Sequence, residues 1–278
     1  MRPILNVIIF LGCLSIIFPQ MRDGEHTGYY KNGKIKHISN IKNEELHGSF
    51  IWYYENGNIK FEQTYDNGEI DGETIYYFEN GRKQRIENYS NGIEDGLFKY
   101  YTEKGILTRQ ETFKNGFLHG EFKEFFNSGS VKAEGSYLND LEDGKWTSYY
   151  TSGAVQIVAH YKDAEKDGSW ITYFESGQIN NEEFYNQGLS DGKWTGFYRD
   201  GSPKYIHFWQ DGLPQGKWEA FYKNGDKHYI KRYRYGVADG DWIEYYPGGK
   251  IKSRGMYKNG SKEKGWIEYN QRGERISQ

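Results

Sequence analysis

The sequence predicts an all-β protein, an elongated single-sheet array of antiparallel β-hairpins. Glycine returns every 24 residues, at 24, 48, 72, 96, 120, 144, 168, 192, 216 and 240. A second glycine follows nine places later in each unit, from Gly33 to Gly273, with no insertion or deletion between them. A fixed period of this length is the signature of a repeat array, here ten full units from Gly24 and a partial eleventh. Aromatic residues reach 18% while hydrophobics of every kind total only 36%. That is too few aliphatics for a thick core, but flat rings can cover a thin sheet. No segment has a helical period.

The chain before the array, Met1–Gln20, reads differently. After Arg2 an apolar run extends from Ile4 to Phe18, broken only by Asn6, Gly12 and Ser15. A bilayer span takes roughly 20 such residues, whereas a run of this length suits a secretory signal. Residues 1–20 are therefore expected to act as a signal peptide or N-terminal membrane segment, with 21–278 as the repeat domain. The expected location is outside the cytoplasm, in the periplasm, outer membrane or cell surface. A β-strand capping the array is the alternative for this segment. Phe10-Leu11-Gly12-Cys13 resembles a bacterial lipoprotein signal, which would make Cys13 a lipidation site; the apolar run continues past it to Phe18, as a plain signal would.

Each repeat reads as two strands. The first carries aromatics at its third, sixth and seventh places, as in Trp146, Tyr149 and Tyr150. A glycine-ended turn follows, such as Asn56-Gly57 or Asp200-Gly201. Asn-Gly between alternating runs predicts a two-residue hairpin with positive φ at both residues. The second strand opens on an aliphatic (Val155, Ile179) and closes on an aromatic (Tyr161, Tyr185), and a wider turn such as 67–72 leads onward. At about 4.8 Å per strand, some twenty-one strands would make a ribbon of roughly 100 Å.

Turn length fixes register, and register fixes the faces. Pairing across Ser152-Gly153 sets Tyr150 opposite Val155, Ser148 opposite Ile157 and Trp146 opposite Ala159. One face then holds Trp146, Tyr150, Val155 and Tyr161, and is expected to be the more apolar and the packed one. The other holds Thr147, Tyr149, Gln156 and Val158, and is expected to be half wet. On it runs an aromatic ladder: Tyr53, Tyr77, Tyr101, Phe125, Tyr149, Tyr173, Phe197, Phe221 and Tyr245. Tryptophan fills the third place of the last six repeats (146, 170, 194, 218, 242, 266), which predicts tighter packing toward the C-terminus. Lys264 in place of the opening glycine and Asn270 in place of an aromatic look like a terminal cap.

The recurring GxWxxYYxxG core with YxNGxxDG downstream resembles the MORN repeat, in its bacterial tyrosine-rich variant, from Gly24 to about Gly273. His47-Gly48 and His119-Gly120 sit where MORN units often carry that pair. The resemblance implies an extended sheet of successive hairpins, with roles in protein scaffolding and membrane-lipid association. Some bacterial members are labelled antitoxins, which would imply a cytoplasmic partner.

The chemistry of catalysis is not visible. One cysteine excludes an intrachain disulfide framework. The seven histidines share no metal spacing. Carboxylates that precede glycines (Asp71, Asp95, Asp143, Asp167, Asp191, Asp239) are explained by turn formation; a row of them binding calcium is the functional alternative. Net charge is −3, with both signs mixed along the chain, which argues against a nucleic-acid partner. No enzyme activity and no cofactor are expected. The expected function is a non-catalytic exported scaffold that binds another protein at the cell envelope through the ladder, since tyrosine is enriched at interfaces. Carbohydrate or cell-wall binding by the exposed rings, lipid association, and an antitoxin-like role for a cytoplasmic chain are the alternatives.

Overall fold

The structure, a computed structural model, describes residues 22–277. The leader Met1–Gln20, with Cys13, lies outside the described residues. The fold is all-β, with no helix among the described residues. Backbone contacts divide the chain into two compact units. The described part of the first runs to Gly96 and includes Glu103–Gly105; the second comprises Leu97–Thr102 and everything from Ile106 onward.

Both units are built from the same consecutive antiparallel hairpins. In the first, strands Glu45–Tyr53 and Ile59–Asp66 pair with Phe50 opposite Gln63 and Trp52 opposite Phe61. In the second, strands Leu141–Tyr149, Val155–Lys162 and Glu165–Tyr173 place Trp146 opposite Ala159 and Ala159 opposite Trp170. The described residues form 27 strand segments rather than some twenty-one. A bulge ahead of the repeat-opening glycine splits several long strands, as between Leu189–Ser190 and Gly192–Phe197.

The two kinds of turn are the reverse of those expected. Trp146 and Ser148 take their expected partners, but Tyr149, not Tyr150, lies opposite Val155, with a bulge between Ser148 and Tyr149. The loop here has three residues, 151–153. The Gly153 N–H donates to the Tyr150 carbonyl at 2.9 Å, and the Tyr150 N–H to the Ala154 carbonyl at 2.8 Å. Only Gly153 has positive φ, 87°, the pattern of a type I turn closed by a glycine bulge. Asn or Asp before that glycine works through its side chain. The Asn56 Oδ1 accepts the Asn58 N–H at 2.8 Å, and the Asp200 Oδ1 that of Ser202 at 3.0 Å, local bonds these residues favour.

The true two-residue turns lie inside what reads as the wider turn. Asn67 (φ 47°) and Gly68 (φ 81°) both take the left-handed conformation, and Asp66 pairs directly with Glu69. Asp163-Ala164 does the same with φ of 51° and 63°. Alanine there pays a steric cost that glycine avoids. Ala164→Gly is therefore expected to stabilise the protein by about 0.5–1 kcal/mol, read as a raised thermal midpoint; a lowered midpoint would mean that Ala164 makes a contact worth more than its strain.

The faces follow the expected parity away from the hairpin end, but beyond the bulge Val155 pairs with Tyr149 and leaves the face of Trp146. The characters of the faces also differ from expectation. The ladder face is not simply wet. Beside the tyrosines runs a row, half of it aliphatic, in which Thr147, Val158, Ile171, Glu182, Thr195 and Ile206 lie opposite one another in sequence, and Thr147 and Thr195 are buried. The tryptophan face is aromatic, yet it contains the buried carboxylates Glu87 and Glu111. Packing is not tighter toward the C-terminus either. The most buried third-place aromatics are the early Phe98 and Phe50, while all six tryptophans stay partly exposed. An indole is too large for a single layer of neighbours to cover.

Candidate functional site

Each ladder residue ends the first strand of its repeat, immediately before the glycine-bulge turn, and each is partly buried. Two places after Thr147 on the same strand, Tyr149 shares the face of the half-aliphatic row by alternation, and the extra residue of the bulge, Gln156, belongs to the partner strand. Tyr53 and Tyr77 belong to the first unit, and Tyr101, Phe125, Tyr149, Tyr173, Phe197, Phe221 and Tyr245 to the second. Two hydroxyls are tied down by carboxylates from the preceding repeat. The Tyr149 hydroxyl donates to Glu134 Oε1 at 2.6 Å and that of Tyr77 to Glu62 Oε2 at 3.3 Å. The bond to Glu134, then burial, pushes the Tyr149 phenol up to about 12. Burial, then the Glu62 charge, does the same to Tyr77. These rings stay neutral and oriented at physiological pH.

The ladder has a second function in the fold that its pattern did not suggest. The tyrosine at the seventh place reaches across to the ladder backbone of the next repeat. Tyr54 donates to the Tyr77 carbonyl, Tyr150 to Tyr173, Tyr198 to Phe221 and Tyr222 to Tyr245, each at 2.8 Å. Each such bond is worth about 1 kcal/mol and joins one repeat to the next. The seventh place varies (Tyr54, Phe78, Thr102, Phe126, Tyr150, Phe174), so the sequence does not by itself show which repeats make this joint.

On the opposite face of the second unit, rings interlock in a series from Trp146 to Trp266. Trp146–Tyr161, Tyr161–Trp170 and Trp170–Tyr185 meet edge to face at centroid distances of 5.7–6.3 Å. The series continues through Trp194, Trp209, Trp218, Tyr233, Trp242 and Tyr257 to Trp266. This mixture of edge-to-face and tilted contacts covers much of the flat ring surface. Carboxylates set among the rings accept phenols: Tyr185 donates to Glu183 Oε2 at 2.8 Å and Tyr89 to Glu87 Oε2 at 2.9 Å. Burial and then these carboxylates push both phenols upward. His207 stacks on Trp218 at 4.0 Å and on Tyr205 at 4.6 Å, with its Nε2 2.9 Å from the Tyr229 hydroxyl. Burial, helped by Lys231, lowers its pKa to about 4, so it is a neutral packing ring.

The turn carboxylates have partners one repeat away. Asp71 accepts the Asn91 N–H at 3.3 Å, and Asp167 the Gln187 N–H at 3.2 Å. Among the described residues no three His, Cys, Asp or Glu side chains converge as metal ligands.

The hairpin geometry recurs with the sequence period, and a family model follows it. The model described as MORN repeat variant matches residues 22–43, 46–67, 70–91, 94–115, 118–139, 142–163, 166–187 and 238–259. The chain belongs to the MORN repeat variant family. MORN repeats form scaffolds that bind protein or lipid, and no specific partner is shown. The stretch 188–237 lies outside the matches, yet it keeps the MORN hairpins, with strands Gly192–Phe197, Pro203–Gln210, Gly216–Phe221 and Lys227–Arg234. No curated protein matches the chain. Among solved structures, the chain is similar to one of the Photorhabdus luminescens Tc holotoxin pore with mutation TccC3-D651A, at 12% identity over 90% of its length and a TM-score of 0.22. It is similar to one of TcdB2-TccC3-Cdc42 at 11% identity over 88%, with a TM-score of 0.21. It spans only 16% and 14% of those chains, and likeness at this level carries no inference.

Proposed function

We propose that this MORN chain is a non-catalytic exported scaffold that binds another protein along its aromatic ladder at the cell envelope. The observation that carries the proposal is the ladder itself. Partly exposed rings recur at one place in successive repeats, and Tyr77 and Tyr149 are held in orientation by Glu62 and Glu134. Rings ordered before binding lose little entropy on contact, which is why tyrosine makes good anchors. The apolar leader motivates export.

One experiment joins the two halves. Cells are fractionated, and the chain is used to capture partners from an envelope extract beside a Tyr149→Ala, Tyr173→Ala variant. Wild type is expected outside the cytoplasm, and the folded double variant should lose more than about fivefold in affinity for the captured protein. A full-length cytosolic chain would sink export and favour the antitoxin-like role. Undiminished capture by the variant would sink the ladder as the binding site, and capture of glycan instead of protein would favour wall binding.

A further inference from the structure

The tryptophan face of the second unit carries cations of its own. Lys166 stands two places before the repeat-opening Gly168. Its Nζ lies 3.7 Å from the ring centroid of Trp170 and 4.4 Å from that of Tyr185. The same ammonium donates to the Tyr185 hydroxyl at 3.4 Å. Lys262, in the corresponding place before the last unit, lies 4.2 Å over Trp266. Lys231 covers Trp242 from the neighbouring strand, at 4.4 Å. An ammonium over an aromatic face is attracted by the ring quadrupole, most strongly by that of an indole. These lysines show which chemistry the ring row accepts.

One ring pair in the row has no such partner. Ser190 takes the place of Lys166 in the next repeat, pairing with Tyr185 as Lys166 pairs with Tyr161. The rings that correspond to Trp170 and Tyr185 are here Trp194 and Trp209, with centroids 5.2 Å apart and planes tilted by 45°. Both indoles and Ser190 are half-buried. Among the described residues no lysine or arginine lies over either indole. Serine in place of lysine withdraws the arm and its charge but leaves two rings, the second now an indole instead of a phenol. Pro214 and Ala238 continue the series. Their indoles are already covered, Trp218 by His207 at 4.0 Å and Trp242 by Lys231.

The charges around this pair suit a cation. Glu183 pairs with Trp170 on one side, and the register Glu182–Thr195 on the other brings it beside Trp194. One carboxylate therefore stands between the two ring pairs. His207, opposite Trp194 on the far side, is neutral and adds no repulsion.

We infer that Trp194 and Trp209 form a site for an alkylammonium group, and that its occupant is a lysine side chain of a protein partner. The partner's lysine enters where Lys166 lies one repeat earlier. That lysine already demonstrates the fit of an unbranched arm ending in a primary ammonium on the equivalent rings. A free amine or a quaternary ammonium shares the chemistry, and the experiment separates them. The site lies on the face opposite the ladder, so it depends neither on export nor on the ladder as a binding surface.

The indole N–H resonances of the full chain report the site, once assigned with Trp194→Phe and Trp209→Phe. Nα-acetyl-lysine amide should shift both resonances, and the same probe with its Nε also acetylated, hence uncharged, should shift neither. Read at these indoles, a short lysine-rich peptide should bind about tenfold tighter than tetramethylammonium. Ser190→Lys supplies the cation from within, so it should raise the unfolding midpoint and weaken the peptide about tenfold. Glu183→Gln should weaken it about threefold. Lys166→Ser should make the Trp170 indole respond to the probe, a gain that damage to the fold does not mimic. Trp194 and Trp209 resonances unmoved by ~10 mM probe, or moved equally by its uncharged form, overturn the site. Tighter binding of tetramethylammonium than of the peptide overturns lysine as the occupant. Peptide binding unchanged in Ser190→Lys overturns the point of entry.

Discussion

Replacing Phe98 with alanine is expected to cost about 3–5 kcal/mol, the range for a buried aromatic whose cavity cannot collapse. Phe98 is the most enclosed large side chain described, at 1% exposure, and its ring lies 4.4 Å from that of Phe113. A thin sheet has few such places, so each carries a large share of a stability that for any domain is only about 5–15 kcal/mol. Contacts in a repeat array reach only to neighbours. The damage should therefore be local and should appear in amide hydrogen exchange before it appears as global unfolding. Amides of the strand Leu107–Lys114 should lose most of their protection, whereas those of Ile251–Lys258 should keep theirs. Phe98→Leu, which retains much of the volume, should recover more than half of the loss. A cost below about 1.5 kcal/mol would mean that the face bearing Phe98 is not a packed core. Equal loss of protection in both strands would mean that the array unfolds as one body, against the nearest-neighbour picture.

The period, the strands and the parity of the faces up to the bulge were legible because glycine and the aromatics hold fixed places in the units. The turns were misread for a physical reason. Asn-Gly occurs in both turns, as Asn56-Gly57 and Asn67-Gly68, and the dipeptide does not reveal whether Asn takes positive φ or bonds its own backbone from the right-handed region. The informative signal was the residue that replaces glycine. Glu44, Asp140 and Ala164 stand at positive φ in the two-residue turns; the glycine-bulge turns keep their glycine throughout. Face character was misjudged because the ladder was weighed against its neighbours in the second strand, such as Gln156, and not against the row that includes Ile171 and Ile206. The ladder itself lies where expected; its joint to the seventh-place tyrosines needed coordinates.

Gly135→Ala should destabilise the protein by about 2–4 kcal/mol, although it adds a single methyl group and the backbone there is ordinary. Gly135 is not among the glycines at positive φ, so conformational freedom is not the reason it is glycine. The reason is the indole of the next repeat. A Cβ on Gly135 would lie 2.2 Å from Cδ2 and 2.4 Å from Cε2 of Trp146. The ring rests directly on the backbone of the neighbouring strand and cannot move aside freely. It is held by Phe122 at 5.4 Å and by Tyr137 at 5.2 Å, edge to face. Overpacking of this kind costs roughly 1–3 kcal/mol, and displacement of the indole forfeits aromatic contacts worth about 0.5–1.5 kcal/mol each. The pairing recurs at Gly255, where a Cβ would lie 2.3 Å from Trp266, so small residue and indole belong together as one packing unit. A double-mutant cycle isolates that unit. With Trp146→Ala already in place, adding Gly135→Ala should cost less than about 0.5 kcal/mol, because the atoms it collides with are gone. If the methyl group costs as much without the indole as with it, the seat of Trp146 on Gly135 is not what holds these two repeats together.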